Sequence, residues 1–408
     1  MSAKQVHLSS RFAIALSLFV CLVVAACSGN APSSPSSTPA PSEPAFATRL
    51  RPLLLAKMRD LRTPGAIIFV DAPGQGSWTT TLGTSDLATN APIQVNSYMR
   101  IGSITKTFTA TVILQLVDEG KLGLDDPVSK YQPEVPNGVH ITIRQLLNMT
   151  SGLFEYSQDL GYNQALDADP AKVWNLKDLL AISFKHPPDF APGKGWHYTN
   201  TSYILLGMII EQLTHQSVEE VFQQRIFTPL GMNGTSFPPL ASSLISNPHP
   251  RGYLYGTNVD AMNALLNAFA GREQDAQVKV APGALPQDAT DWNPSSYWTA
   301  GSAISTLHDL QIWARALATG QVVSAATQKE RLSWVGNYGL GVDKFSGFGG
   351  FIGHNGAIPG YQSFMGYLPQ KGATIVVLAN SMVAPNIYLG DALPADALAK
   401  IIQQGLFA

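Results

Sequence analysis

A serine and a lysine stand three residues apart in the segment Gly102-Ser103-Ile104-Thr105-Lys106. Residues at this spacing share a helix face, so the Ser103 hydroxyl and the Lys106 ammonium can meet if an amphipathic helix begins here. A lysine withdrawn from water, or held near another cation, loses part of its pKa and can help to take the serine proton. Unpaired N–H groups of a first helical turn also favour developing negative charge. The pair therefore predicts an acyl-serine hydrolase.

This motif is weak by itself, because roughly one Ser-x-x-Lys is expected by chance in a chain of this length and composition. The alternative is a helix-capping serine followed by a solvated lysine. A second cluster, His197-Tyr198-Thr199-Asn200, stands directly before another helical segment. A tyrosine there can act as a base if nearby cations lower its pKa, and an asparagine can donate to a substrate carbonyl. The alternative is a capping Asn or Thr with a packed tyrosine.

A third cluster, Gly353-His354-Asn355-Gly356-Ala357, lies on a predicted strand at a sheet edge. Its small residues let a substrate backbone approach the strand, and a strand N–H can donate to an oxyanion. The alternative is a tight turn between two strands. The three clusters together, in this order, are much less expected by chance than any one of them.

The periodicity of the chain predicts the elements that position these clusters. Both ends contain strand patterns and a covering helix, whereas the middle is mostly helical. We therefore predict an α/β (α+β) fold, in which a five-stranded antiparallel sheet built from both termini is flanked by helices and carries an inserted all-helical domain. The predicted strands are 66–71, 77–83, 349–353, 361–368 and 373–378, and the predicted helices are 46–62, 103–119, 141–149, 176–184, 201–214, 217–224, 306–318 and 394–404.

The N-terminus has the pattern of a targeting segment. Lys4 and Arg11 precede an apolar run, 12–24, which is short for a membrane span. We predict a lipoprotein signal peptide over 1–26, because the run ends in Val-Ala-Ala before Cys27, like a bacterial lipobox in which Cys27 is lipidated. The alternative is an ordinary secretory signal. Residues 27–45 are rich in Ser and Pro and predict an extended tether.

Composition narrows the possible partners. The formal net charge is −2 and only 13% of the 408 residues are charged, without a basic tract, which argues against nucleic acid. The eight histidines show no His-Glu-x-x-His or similar spacing, so no metal site is predicted. The expected partners are a small-molecule or peptide substrate and, through the lipid anchor, the outer side of a bacterial cell membrane.

The order Ser-x-x-Lys, Tyr-x-Asn, His-x-Gly resembles the penicillin-recognising serine hydrolases, in particular class C β-lactamases and soluble D-alanyl-D-alanine carboxypeptidases. The likeness runs from about 64 to 380 and includes segments such as 141–147, 150–153 and 225–232. It implies one β-lactamase-like domain over 46–408, with an α/β part at about 46–100 and 335–408 and a helical part at about 101–334. It also implies that no cofactor or metal is needed.

Carried over to this sequence, the resemblance implies that Ser103 is acylated, that Lys106 assists proton removal and that Tyr198 shuttles the proton. Whether Lys106 or its partner is the acylation base is left open. The remaining roles concern substrate contacts. Asn200 would hold Lys106 and a substrate amide, His354, Asn355 and Gly356 would line the strand side, and the N–H groups of Ser103 and Ala357 would form the oxyanion hole.

Two departures from the family pattern bear on the substrate. Asn355 stands where relatives usually carry threonine, whose hydroxyl helps to bind a substrate carboxylate. Asp343-Lys344 follows Gly339-Leu340-Gly341, where related carboxypeptidases carry a basic cluster. Asp343 would repel a free carboxylate, which Lys344 could offset. D-alanyl-D-alanine carboxypeptidase is the leading prediction, with an esterase or D-amino-acid amidase as the alternative and a β-lactamase less expected. A non-catalytic envelope lipoprotein that binds wall peptides is the alternative outside enzymes.

Overall fold

The computed structural model describes residues 43–269, 275, 277–386 and 393–407. The predicted signal peptide (1–26) and the tether (27–45), apart from its last three residues, lie outside these ranges, so both stay predictions. In the described part of the chain, no helix is both long and apolar enough to cross a membrane.

The main sheet contains the five predicted strands and two short strands that the sequence did not predict. The strands are β1 (Gly65–Ala72), β2 (Gly76–Asp86), β3 (Ala91–Pro92), β4 (Met99–Arg100), β5 (Tyr253–Leu254), β6 (Gln287–Asp288), β7 (Ile304–Ser305), β8 (Asp343–Phe345), β9 (Phe351–Ile358), β10 (Tyr361–Leu368) and β11 (Ala373–Ala379). Seven of them form one antiparallel sheet in the order β3-β2-β1-β11-β10-β9-β8. Both ends of the chain therefore build the sheet, because β1 pairs with β11 at its centre.

Helices cover both faces of this sheet. They are α1 (Ala45–Asp60), α2 (Thr105–Asp118), α3 (Ile143–Leu147), α4 (Leu160–Ala168), α5 (Leu176–Lys185), α6 (Asn200–Thr214), α7 (Val218–Phe222), α8 (Thr228–Leu230), α9 (Asn258–Phe269), α10 (Trp298–Gly301), α11 (Leu307–Thr319), α12 (Ala325–Arg331) and α13 (Pro394–Phe407). Each predicted helix is present. The one predicted at 141–149 is shorter, because Thr142 and Gln145 form a capping box at its start.

The two terminal helices, α1 and α13, pack on one face of the sheet. Phe46, Leu50, Leu54 and Met58 recur every four residues along α1 and are buried in the same core as Phe364 of β10. Each fully buried leucine there contributes about 2 kcal/mol of transfer free energy. On the opposite face a larger core joins the sheet to α2, α6 and α11.

The central helix α2 departs from the prediction of an amphipathic helix, because every side chain from Thr105 to Leu114 is buried. Its threonines are compatible with this environment since their hydroxyls bond to backbone carbonyls. The Thr107 hydroxyl donates to the Ile104 carbonyl at 2.6 Å, and the Thr111 hydroxyl donates to the Thr107 carbonyl at 2.6 Å. A buried α2 holds its N-terminal turn rigidly beside the sheet.

Candidate active site

Ser103 and Lys106 meet at the start of α2. Residues Gly102–Ile104 form a 3-10 turn that leads directly into the helix. The Lys106 Nζ lies 3.1 Å from the Ser103 Oγ, as the spacing of the two residues predicts. The structure therefore places the hydroxyl and the amine in direct contact.

Burial leaves the Lys106 amine close to balance between its charged and neutral forms at pH 7. Its side chain is fully buried, and this burial lowers its pKa to about 7, although Glu155 and then Asp343 act in the opposite direction. Besides Ser103, its Nζ contacts the Asn200 Oδ1 at 2.6 Å and the Ala300 carbonyl oxygen at 2.8 Å. Both of these oxygens can only accept hydrogen bonds, so they take the two hydrogens of a neutral amine. The lone pair is left for the Ser103 hydroxyl proton.

Tyr198 completes the group around the serine. Its phenol hydrogen-bonds to Ser103, and its ring centroid lies 4.7 Å from the Lys106 Nζ. The sequence predicts that Tyr198 acts as a base if nearby cations lower its pKa. The structure does not meet this condition. Burial raises the pKa of Tyr198 well above its usual value. A neutral phenol can still relay a proton by accepting one and donating its own.

Two glycines allow the serine turn and strand β9 to touch. A Cβ atom placed on Gly356 would lie 2.0 Å from the Ile101 carbonyl oxygen and 2.8 Å from the Ser103 nitrogen. Gly102 has φ +51°, and a Cβ there would lie 2.7 Å from the Ala357 nitrogen. Side chains are therefore excluded at both positions. The Ser103 and Ala357 nitrogens consequently belong to two backbones in direct contact, the arrangement that an oxyanion hole needs.

His354 lies on the same strand and is buried. Burial, followed by the charge of Lys106, lowers its pKa to about 3, so it is neutral at pH 7. Its Nε2 lies 3.1 Å from the Tyr338 hydroxyl, and its Nδ1 lies 2.5 Å from the Asn355 carbonyl oxygen. The Asp343 Oδ2 lies 3.8 Å from the His354 Nε2. A carboxyl group, and no cationic partner on strand β8, thus lies beside His354.

Lys344 does not take the compensating position that the sequence suggested. It stands opposite Ile352 in β9, one register step farther from His354 than Asp343. Its Cε lies 4.0 Å from the point where a Cβ on Gly350 would be, so its side chain extends along the strand away from His354.

Asn355 is arranged differently from the prediction that its amide contacts substrate. It stands opposite Phe364, whose side chain belongs to the core under the terminal helices. Its Nδ2 donates to the Asp396 Oδ2 of α13 at 2.7 Å. Adjacent residues of a strand point to opposite faces, so His354 faces Tyr198 and Tyr338 whereas the Asn355 amide is bound to α13.

Sequence reasoning missed three residues of this site: Glu155, Ala300 and Tyr338. Glu155 is buried and binds Asn200, and it follows Thr150-Ser151-Gly152-Leu153, a segment already noted for its family likeness. That proximity was the only signal for it. The Ala300 carbonyl is a backbone group, and Tyr338 lies in a loop, so neither has a sequence signature. In the described residues, no group of three or more acidic, histidine or cysteine side chains could hold a metal ion.

The family model described as Beta-lactamase matches residues 50–398. The chain belongs to this family. It has the mixed α/β fold of the beta-lactamase and penicillin-binding protein family, as the motifs predicted.

Family relatives differ in their named activities. Penicillin-binding protein 4* of Bacillus subtilis is 29% identical over 73% of this chain. The matched part spans 64% of that relative's length. Esterase EstB of Burkholderia gladioli is 29% identical over 47% of this chain and 52% of its own. Among solved structures, a D-stereospecific amidohydrolase from Streptomyces sp. superposes with a TM-score of 0.72 at 30% identity, covering 90% of this chain and 99% of its own. Family membership therefore leaves the substrate open.

Proposed function

We propose that this protein hydrolyses esters or amides through an acyl-enzyme on Ser103. The Ser103 Oγ attacks the substrate carbonyl while its proton passes to the Lys106 amine, and the N–H groups of Ser103 and Ala357 stabilise the oxyanion. Tyr198 donates its proton to the leaving group, which departs as an alcohol or amine, and Tyr198 regains a proton from the Lys106 ammonium. Water then cleaves the acyl-serine ester and yields the carboxylic acid and free Ser103.

One observation carries this proposal: the Lys106 Nζ has two acceptor-only partners and contacts the Ser103 Oγ at 3.1 Å. A solvated lysine beside a helix cap would keep its proton and its freedom to rotate. A non-catalytic binding protein would have no need of a buried amine with a pKa near 7 next to a serine hydroxyl.

We further propose that the preferred leaving group carries no free carboxylate. Asp343 is the acidic neighbour of His354, while burial, together with nearby Asp396, raises its pKa to about 8. Whether neutral or ionised, this carboxyl offers a substrate carboxylate no positive charge. A substrate carboxylate that binds beside Asp343 loses its hydration, and this side chain supplies no cation to offset that loss. An ester or an amide therefore fits better than a peptide ending in D-alanine, which was the leading expectation from sequence.

The test uses full-length protein in detergent and a matched pair of substrates, N-acetyl-D-Ala-D-Ala and its C-terminal amide, together with a p-nitrophenyl ester. We expect kcat/KM for the amidated peptide to exceed that for the free acid by about tenfold or more. Ser103→Ala should lower kcat by roughly 10⁶-fold on every substrate that is cleaved. Substantial turnover by this variant would overturn the acyl-serine mechanism.

Two variants at position 343 distinguish the effect of side-chain charge on substrate preference from the effect of side-chain shape. Asp343→Arg should raise kcat/KM for the free acid relative to the amide, whereas Asp343→Asn should change that ratio little at pH 6, where Asp343 is mostly protonated. If the wild-type protein cleaves the free-acid peptide better than the amidated one, the proposal of a leaving group without a carboxylate is wrong and the carboxypeptidase prediction stands in its place.

We also propose that the protein is anchored on the outer side of a bacterial cell membrane. The support is the sequence pattern before Cys27 and the Ser- and Pro-rich stretch after it. An anchored enzyme of this family would meet substrates of the cell envelope.

A further inference from the structure

Glu155 lies behind the catalytic lysine and is only 3% exposed. Its two carboxylate oxygens accept four hydrogen bonds, three of them from the first two residues of α6. Oε1 accepts from the Asn200 Nδ2 at 3.0 Å and from the Ser157 nitrogen at 3.0 Å. Oε2 accepts from the Asn200 backbone nitrogen and, at 3.4 Å, from that of Thr201. The carboxylate thus binds both the backbone and the side chain of Asn200.

These contacts fix which end of the Asn200 amide meets the lysine. Because Nδ2 donates to Glu155, Oδ1 must be the atom that accepts from the Lys106 Nζ, at 2.6 Å. If the amide turned over, its NH2 group would face the lysine amine and would compete for the nitrogen lone pair. The lone pair would then no longer be directed to Ser103.

We propose that Glu155 is a positioning residue for acylation: its carboxylate holds the Asn200 amide in the one orientation that directs the Lys106 lone pair at the Ser103 hydroxyl. This inference rests on the proposed acyl-serine mechanism and extends it by one residue. The order Glu155, Asn200, Lys106, Ser103 forms a continuous hydrogen-bonded chain from a buried carboxylate to the nucleophile.

The charge of Glu155 has a second, measurable consequence. Burial lowers the pKa of Lys106 to about 7, and the negative charge of Glu155 is the largest opposing influence. Replacing the carboxylate with an amide removes this charge and should lower the pKa of Lys106 further. The acid limb of the activity profile should therefore move to lower pH while the maximal rate falls.

The competing explanation is that Glu155 only caps α6, because its Oε2 accepts from the first two backbone N–H groups of that helix. A cap alone contributes to the free energy of unfolding. It does not orient the Asn200 amide toward Lys106, so the maximal kcat/KM reached above the pKa of Lys106 separates the two explanations, whereas the shift of the acid limb reports the charge of Glu155 in either case.

The experiment compares Glu155→Gln and Glu155→Asp with the wild-type chain. The matched control is Glu211→Gln, which changes a carboxylate to an amide on the same helix, where Glu211 accepts from the Val218 nitrogen at 3.1 Å. At 1.5 Å per residue, position 211 is about 16 Å along the helix from Asn200. We measure kcat/KM on a p-nitrophenyl ester from pH 4.5 to 9.5, Ser103 acylation by intact mass, and denaturant unfolding.

We expect Glu155→Gln to lower the maximal kcat/KM about 10²-fold, because the amine loses its alignment, and to move the acid limb down by about one pH unit. Glu155→Asp keeps the charge, so its acid limb should stay near the wild-type position although its rate falls. The Glu211→Gln profile should match that of the wild type.

A Glu155→Gln variant that loses only stability, with the wild-type maximal kcat/KM, would make Glu155 a simple cap and overturn the inference. If Glu155→Gln does not fold, the kcat/KM of Glu155→Asp tests the inference instead. A wild-type rate from the shorter aspartate side chain would also overturn the positioning role of Glu155. Absence of Ser103-dependent acylation in the wild-type protein would be a different result, since it would overturn the proposed function itself and the role of Glu155 with it.

Discussion

Lys106 shows how three contacts can set the chemistry of a single residue. A fully buried ammonium is unfavourable, and here its hydration is replaced by only two oxygens and one hydroxyl. The amine is consequently close to balance between its charged and neutral forms at physiological pH. That balance suits a group that must both accept a proton from Ser103 and release it again.

The pH dependence of the reaction follows from this balance. In the proposed mechanism the neutral form of Lys106 is the reactive one, so protonation below about pH 7 should inactivate the protein. We expect kcat/KM for an uncharged ester to fall about tenfold per pH unit on the acid side and to level off above that pKa. A profile that stays flat from pH 7 down to pH 5 would show that Lys106 is not the proton acceptor. His354 does not interfere, because its pKa is about 3, and Asp343, whose pKa is about 8, titrates on the alkaline side of this limb.

Tyr198 gives a second prediction at this scale. Tyr198→Phe removes the phenol that contacts Ser103 but keeps the ring over Lys106. We expect kcat to fall about 10²–10⁴-fold, the range for loss of a general acid–base group. Tyr367→Phe, on strand β10, is the matched control because it removes a phenol from outside the site. A loss of less than tenfold for Tyr198→Phe would make Tyr198 a packing residue.

At the scale of elements, the site depends on a close contact between a helix start and a strand. The turn at 102–104 stays against β9 because α2 is buried along its length. Strand β8 pairs with β9 only as far as Gly353, so the segment from His354 onward has its edge free of β8. This segment is where a substrate backbone can add to the sheet.

A glycine substitution tests this contact. Gly356→Ala places a Cβ 2.0 Å from the Ile101 carbonyl oxygen, so the strand and the serine turn must separate. We expect an overpacking cost of about 1–3 kcal/mol and a loss of kcat/KM of about 10² or more, because the two oxyanion donors diverge. Gly347→Ala is the control, since a Cβ there meets no atom within 4 Å. Wild-type kinetics for Gly356→Ala would remove Gly356 from the oxyanion argument.

At the scale of the whole molecule, the two ends of the chain meet in the sheet. β1 and β11 are neighbours although about 300 residues separate them, and α1 packs against α13 beside them. Between these ends the helical segments supply Lys106, Tyr198 and Asn200. Residues of the candidate site that are far apart in sequence therefore meet where the helical part faces strand β9.

The predicted anchor also belongs to this scale. If Cys27 carries lipid, Cys27→Ser should move the protein from the membrane fraction to the soluble fraction while leaving ester hydrolysis unchanged. The control is Ser28→Ala, which alters the neighbouring residue and keeps the cysteine. Continued membrane association of Cys27→Ser would refute the lipobox interpretation.

The sequence by itself determined the family, the five long strands of the main sheet, eight of the helices, and the pairing of Ser103 with Lys106. These features depend on local periodicity and short spacings, which a linear sequence records directly. It also indicated that Asp343 departs from the carboxypeptidase pattern.

Only the tertiary structure decided the environment of each group. The pKa of Lys106, the bond between Asn355 and Asp396 and the role of Glu155 arise from burial and from partners distant in sequence. The buried α2 could not be predicted either, because threonines satisfy their hydroxyls within the helix and give no polar face. Spacing along the chain shows which residues can meet, whereas desolvation and hydrogen bonding across the fold determine their protonation and orientation.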